Sequence, residues 1–310
     1  MFNASIIGSG FGLYGYLPAL ISNGFKKIYL QEKYKEKFYC RDELSFFEKY
    51  IEWTPSEEMA ARSAELIIFA INPDTQAKKI FNFLNYENIK SYVLEKPLGT
   101  TPLISSHIIH EMKRLNKYFT VGYLFLYTEW ANNLLKELNR AQYSKLVIEW
   151  SFLANHYKFN LNNWKKFNSQ GGSAIRFYGI QIIALLAKIG YTDVESSKVD
   201  MVNNDEFETW DLIVNGKNLP ICIVQLKTRS LNEVFFIELQ GESVSKIILN
   251  QSDPFQKNIP SFPSADNRVI ELISLIDEAK HLNKSANSLW YTNTNNLWEK
   301  IESMTEIKNE

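Results

Sequence analysis

"IIGSGFGLYG", residues 6–15, places Gly8, Gly10 and Gly12 between an apolar run and an amphipathic one. A strand that ends in glycines and turns at once into a helix leaves backbone N–H groups and the helix's positive end exposed, where a pyrophosphate can be held. Leu13 stands where the third glycine of G-x-G-x-x-G is expected, with Gly12 one place early. The next apolar run, "KIYLQE", ends in Glu32, about 20 residues on, the position from which a carboxylate takes the ribose 2′-OH of a dinucleotide. A carboxylate there repels a 2′-phosphate. NAD is therefore favoured, while neighbouring Lys33 and Lys35 leave NADP open. The competing interpretation is a tight strand-to-helix turn with no ligand.

Working outward, the helix predicted over residues 12–23 is followed by further apolar runs at the spacing of β–α–β units: "AELIIFAINPD", "SYVLEKP", a helix "PLISSHIIHEMKRLN" and a strand "YFTVGY". "LIIFAI" is too apolar to own a solvent face, as is usual in a parallel sheet. Residues 1–121 are thus expected to form a Rossmann-type α/β domain with a parallel sheet. Beyond residue 122 the texture changes. "SKLVIEWSFL", "DLIVNG", "PICIVQLKT", "NEVFFIELQG" and "SKIILN" suit an antiparallel meander, interrupted by one helix near 172–189, and "DNRVIELISLIDEAKHLN" is helical with an Asp start. Residues 122–310 are expected to be an α+β domain with one large, mainly antiparallel sheet.

Composition narrows the function classes. The chain has 310 residues, 45% hydrophobic, with 34 basic and 35 acidic side chains, a net charge of -1. That balance leaves no basic stripe for nucleic acid. Cys40 and Cys222 are too few and too far apart for a disulfide framework, which points to a reducing, cytoplasmic setting. The start "MFNASIIGSG" has no basic n-region, and the runs "LIIFAI" and "IIALLA" are short of a bilayer span, so neither export nor membrane insertion is expected. His107 and His110, at i, i+3, have no third ligand nearby, and no metal site is predicted.

"YVLEKPLGTT", residues 92–101, carries a lysine to the rim of an apolar strand and then locks the backbone. A residue before proline is held extended, and carboxyl ends of parallel strands border the ligand crevice. Lys96 is therefore aimed toward the cofactor, where an ammonium can serve as an acid or as a hydrogen-bond donor to a substrate oxygen. Strand alternation sends Glu95 to the other face.

The glycine turn with "LPAL", the "INPDTQ" after the strand at 66–71, the "LEKPLG" block and "GGSAIRFYGIQIIALLAKIG", in that order, resemble the glucose-fructose oxidoreductase, inositol dehydrogenase and MocA (Gfo/Idh/MocA) family over nearly the whole chain. The resemblance implies a two-domain NAD- or NADP-dependent enzyme acting on sugars and related polyols, commonly a homo-oligomer. It makes Lys96 the leading catalytic residue, in contact with both cofactor and substrate. It places Gly8, Gly10, Phe11, Gly12, Leu13, Glu32, Asn72, Pro73, Gln76 and Glu95 along the cofactor, with Gln76 where members often have histidine.

The pattern also breaks. After a glycine pair the family presents an Asp and a His four residues apart, whereas Phe177 and Gln181 follow Gly171 and Gly172 here. Four residues are about 400° of helix, so the two positions share a face, but neither side chain relays a proton. Leu126 occupies a place where many members carry arginine. Tyr123, Phe177 and Gln181 are expected to line the substrate, with Tyr123, Tyr178 or His156 as helpers to Lys96. Losing the acid–base pair favours a reductase of a sugar, nucleotide-sugar or related small carbonyl or imine compound over an alcohol oxidase. The alternative is a non-catalytic NAD-binding sensor or partner subunit, and a weaker option retains NAD for transient oxidation during an elimination. A homodimer is expected, because one predicted helix cannot cover both faces of the large sheet.

Overall fold

The computed structural model describes residues 3–242, 244–255, 266–281 and 288–308. Its strands are β1 (Ala4–Ile7), β2 (Ile28–Gln31), β3 (Ile51–Thr54), β4 (Leu66–Phe69), β5 (Ser91–Leu94), β6 (Tyr118–Val121), β7 (Lys145–Leu153), β8 (Asp193–Asn203), β9 (Glu206–Asn215), β10 (Ile221–Lys227), β11 (Arg229–Gln240), β12 (Ser245–Gln251) and β13 (Thr305–Ile307). The α-helices are α1 (Leu17–Ser22), α2 (Lys35–Tyr39), α3 (Glu57–Arg62), α4 (Pro73–Phe83), α5 (Pro102–Arg114), α6 (Glu129–Arg140), α7 (Asn155–Lys158), α8 (Ile180–Ile189), α9 (Val269–Lys280) and α10 (Ser288–Ser303).

They form two compact units. The first contains a six-stranded parallel sheet in the order β3-β2-β1-β4-β5-β6, the strand order of a dinucleotide-binding doubly wound sheet. All residues of β1, β4 and β5 are buried, which explains their unbroken apolar spelling. β3 lies outside the sequence-based expectation, because "IEWT" is a four-residue edge strand, mostly half-exposed, and its apolar signal is too short to stand out.

The expected division after residue 121 stands beside units that are not contiguous in sequence: Thr100–Ser106 group with the second and His107–Leu124 with the first. Residues 266–281 belong to the first, where α9 packs on α1, β5 and β6. Its buried Val269, Leu272, Leu275, Ile276 and Ala279 supply the contact. Asn23 Nδ2 donates to Ile273 O at 2.9 Å and Lys280 Nζ to Asn23 O at 3.1 Å. The predicted helix over 266–283 begins three residues later, after Asp266, and residues 282 and 283 lie outside the described residues.

The second unit holds a seven-stranded sheet in the order β12-β11-β7-β10-β9-β8-β13. It is mainly antiparallel, as expected, but it is not a simple meander: β10 runs parallel to β7, and β13 parallel to β8. β8 carries no strand signal of its own, because "DVESSKVDMVN" alternates charged and small residues with little apolar content. α6, α8 and α10 accompany the sheet, more helix than the sequence suggested, with α6 packing on β12. Residues Asn168–Ile189, 22 in all, are long and apolar enough to span a bilayer, contrary to the run-length expectation; 72% of the most apolar window is buried inside the protein, so this apolar surface forms core.

Candidate functional site

The carboxyl ends of β1, β2, β4 and β5 bring most of the predicted residues to one edge of the parallel sheet. At β1 each glycine of the turn has its own surroundings. Gly8 has φ +124°, and a Cβ there would lie 2.2 Å from Ala70 O. A Cβ on Gly12 would lie 2.8 Å from Ile6 Cγ2, so Gly12 provides the close strand–helix packing that the displaced third glycine otherwise gives. A Cβ on Gly10 would meet nothing within 4 Å. The outer face of the turn is open at the point where a pyrophosphate approaches the backbone, and the residues present fit the group.

Two neighbours in the turn have other tasks. Leu13 is buried, and its N–H donates to Gly10 O at 2.9 Å, closing the turn instead of facing a phosphate. Phe11 lays its ring over Gly15, where a Cβ would come within 2.4 Å of it, and carries the Arg268 guanidinium 4.0 Å above its centroid. Arg268 is itself forked onto Asp266, with Nε–Oδ1 and Nη2–Oδ2 both 2.7 Å.

Beyond β2, Glu32 is exposed and pairs with Lys35 at 2.9 Å. Beside it stands a buried network that no sequence motif announces. Tyr34 is buried, and its hydroxyl accepts from Gly8 N–H at 3.1 Å and donates to Glu57 Oε1 at 3.1 Å. Glu57, near-buried at the start of α3, also accepts from Lys33 at 2.8 Å and from Lys79. Burial pushes its carboxyl pKa up, but the two ammonium groups outweigh that and hold it below the ordinary carboxylate value.

After β4, Asn72 and Pro73 serve the chain before any ligand. Asn72 Oδ1 caps α4 by accepting from Thr75 N–H at 2.8 Å, and Pro73 occupies the first helical position, where its missing N–H costs nothing. Gln76 departs furthest from expectation. It is fully buried, and its amide is spent on the backbone of the Glu95–Leu98 turn: Nε2 donates to Glu95 O at 2.9 Å and Leu98 O at 3.0 Å, while Oε1 accepts from Glu95 N–H at 2.9 Å. Gln76 therefore holds the turn that carries Lys96 and is not placed to touch a cofactor. Lys96 itself is half-buried one residue beyond Glu95, before a cis peptide bond to Pro97. Glu95 accepts from the buried Tyr16 hydroxyl at 2.6 Å. Burial raises the Glu95 pKa, opposed by that hydrogen bond and by the charges of Lys96 and Arg268. Tyr123, just past β6, is buried, and burial pushes its phenol well above the ordinary tyrosine value.

In the second unit Phe177 and Gln181 have different neighbours. Residues Ala174–Gly179 form a wide, π-type turn before α8, so the spacing of 100° per residue does not hold there. Phe177 is half-buried edge-on to Trp164 (5.1 Å) and Tyr178 (4.7 Å), with the Lys165 ammonium 5.1 Å from its centroid. Gln181 is buried and braces the backbone, its Oε1 accepting from Phe125 N–H at 3.3 Å. Arg176 forks onto Glu302 and donates to Thr100 O and Asn168 O, a structural clamp. Tyr178 Oη faces His156 Nδ1 at 3.4 Å. Burial lowers the His156 pKa to about 4, so at neutral pH this ring is uncharged and no source of a proton. Of the i, i+3 histidines, His107 lies against Phe81 at 5.3 Å and His110 beside Glu111.

No family model and no curated protein matches the chain. Solved structures do. An NAD binding oxidoreductase from Klebsiella pneumoniae is similar at a TM-score of 0.74 and 12% identity, over 98% of this chain and 96% of that one. The WlbA dehydrogenase from Bordetella pertussis, solved with NADH and UDP-GlcNAcA, is similar at 0.73 and 9%, over 97% and 96%. KijD10, a 3-ketoreductase from Actinomadura kijaniata solved with NADP and TDP-benzene, gives 0.71 and 10%, over 99% and 98%. These likenesses establish the fold: a Rossmann-type unit with a second, mostly antiparallel sheet unit, the architecture that the Gfo/Idh/MocA resemblance implied.

Proposed function

We propose that the chain is an NAD(P)-dependent oxidoreductase that reduces a carbonyl on a sugar or nucleotide-linked sugar, with Lys96 as its catalytic residue. The observation that carries this is the pairing, on one sheet edge, of an open glycine turn with a half-buried lysine whose flanking residues Glu95 and Leu98 are clamped through their backbone by Gln76. A bare surface lysine needs no such clamp. The nature of the proteins that share this fold, two of them solved with nucleotide-linked ligands, supports the substrate class.

When bound, a reduced nicotinamide supplies hydride to the carbonyl carbon. Lys96 then holds the carbonyl oxygen through its ammonium and gives up a proton as C=O becomes C–OH, and the resulting amine recovers its proton from solvent. Glu95, tied to Tyr16, stands behind the same turn. Gly8 and Gly12 set the turn, and Gly10 leaves its face open for the pyrophosphate. The chain is further proposed to pair with a second copy through the half-exposed face of its seven-stranded sheet.

A second reading, a nucleotide-binding protein without turnover, is favoured by one observation: Phe177 and Gln181 are engaged in packing and bracing within their own unit. One experiment separates the two. NADH and NADPH consumption is followed with nucleotide-linked keto-sugars, beside calorimetric binding of each dinucleotide. Lys96→Ala is expected to lower turnover by about 100-fold or more while dinucleotide affinity stays within about threefold. Tight dinucleotide binding with no turnover on any keto-sugar selects the second reading.

A further inference from the structure

Three ammonium groups gather where the ribose end of a dinucleotide is expected, at the carboxyl ends of β2 and β3, yet each is already matched. Lys35 is paired with Glu32 at 2.9 Å. Lys33, at 2.8 Å, and Lys79 both lie on Glu57. Glu57 is also tied through Tyr34 to Gly8 N–H, so the carboxylate is fixed relative to the glycine turn itself. The Lys33 side chain is about half-exposed at 52%, whereas Glu57 is 9% exposed. The lysine is the movable partner and the carboxylate the anchor.

Resting on the dinucleotide-binding reading above, we infer that Glu57 determines the preference for a free ribose 2′-hydroxyl, by holding Lys33 away from the 2′ position. A 2′-phosphate is attracted by a lysine beside Glu32, and Lys33 is the residue next to it in sequence. To reach that phosphate, Lys33 must leave a near-buried carboxylate that would then keep only Lys79 and Tyr34. Charge-assisted hydrogen bonds of this kind are the strong ones, so the exchange gains little. A dinucleotide with a 2′-hydroxyl asks for no such exchange, and Glu32 remains to accept from it. Glu57 thus acts through Lys33, as a positioning residue, and touches no cofactor atom.

The test is calorimetric titration of the purified full chain with NADH and with NADPH, read as the ratio of the two Kd values. Lys33→Ala is a substitution at an exposed side chain and is expected to change the ratio by less than about twofold, since a lysine held by Glu57 contributes nothing at the 2′ position. Glu57→Gln is expected to shift the ratio toward NADPH by about tenfold, the worth of one released charge-assisted hydrogen bond. Combining Glu57→Gln with Lys33→Ala should cancel that gain; a merely structural role for Glu57 would move both affinities together. The inference is overturned if Lys33→Ala alone weakens NADPH about tenfold with NADH unmoved, or if a folded Glu57→Gln variant keeps the wild-type ratio. Should Glu57→Gln fail to fold, the Lys33→Ala ratio decides by itself. Absence of heat with either dinucleotide in the unaltered chain overturns the binding reading as well.

Discussion

Gln76 shows how a side chain can be placed by function without taking part in it. The family resemblance implies a place along the cofactor, yet its amide is consumed by three backbone groups of the turn before and after Lys96. Only a planar group with both donors and an acceptor satisfies that set, which is why an amide suits the position. Gln76→Ala would strand buried N–H and C=O groups, with an expected loss of about 3 kcal/mol of stability, read as a lower urea midpoint with an unchanged slope. His156 offers a pH test. Its folded pKa, lowered by burial to about 4, lies below the ordinary 6.5, so the unfolded chain takes up the proton first. Its contribution is complete above pH 6.5 and is lost as the pH falls toward about 4. Urea unfolding measured across that interval should show the decline, and His156→Asn should flatten it.

The strand–glycine–helix element behaves as three distinct positions, although its glycines look alike in the sequence. Gly8 needs a left-handed backbone with Ala70 O against it, Gly12 needs closeness to Ile6, and Gly10 has open space. Gly10→Ala is therefore expected to leave the thermal midpoint nearly unchanged while weakening dinucleotide binding about tenfold, because its methyl group stands where a pyrophosphate approaches. Gly8→Ala is expected to cost about 3 kcal/mol or more of folding stability, seen as loss of soluble protein or a strongly depressed melting temperature. The same element explains why Leu13 replaces the third glycine without penalty: Gly12 has taken over the packing role. In the second unit the element that departs from expectation is the wide turn over Ala174–Gly179. Phe177 lies within it and packs on Trp164, whereas Gln181 lies beyond it in α8 and accepts from Phe125 N–H.

For the whole molecule, the apolar alternation of the seven-stranded sheet has a consequence for assembly. Val147, Ile223 and Ile213 lie in register on adjacent strands β7, β10 and β9, and all three are half-exposed. If a second copy covers this face, sedimentation equilibrium will give twice the chain mass, and Ile223→Glu will shift it to the monomer. The middle of the parallel sheet and its glycine turn were legible in sequence because β1, β4 and β5 are buried on both faces and the turn spells its own backbone demand. Lys96 was legible because proline restricts the residue before it. Those are local properties, set by neighbours in the chain. Tyr34 on Gly8, Glu57 between Lys33 and Lys79, Arg268 over Phe11 and the return of α9 to the first sheet were not legible. Each joins residues 22 or more apart through contacts that depend on which surfaces meet. Periodicity shows that a helix has an apolar face, but only the packed chain decides which sheet that face covers. Likewise, sequence alone determined that a lysine stands at the end of β5, and tertiary structure decided that a buried glutamine holds it there, because hydrogen-bond satisfaction in a core is settled by distance in space.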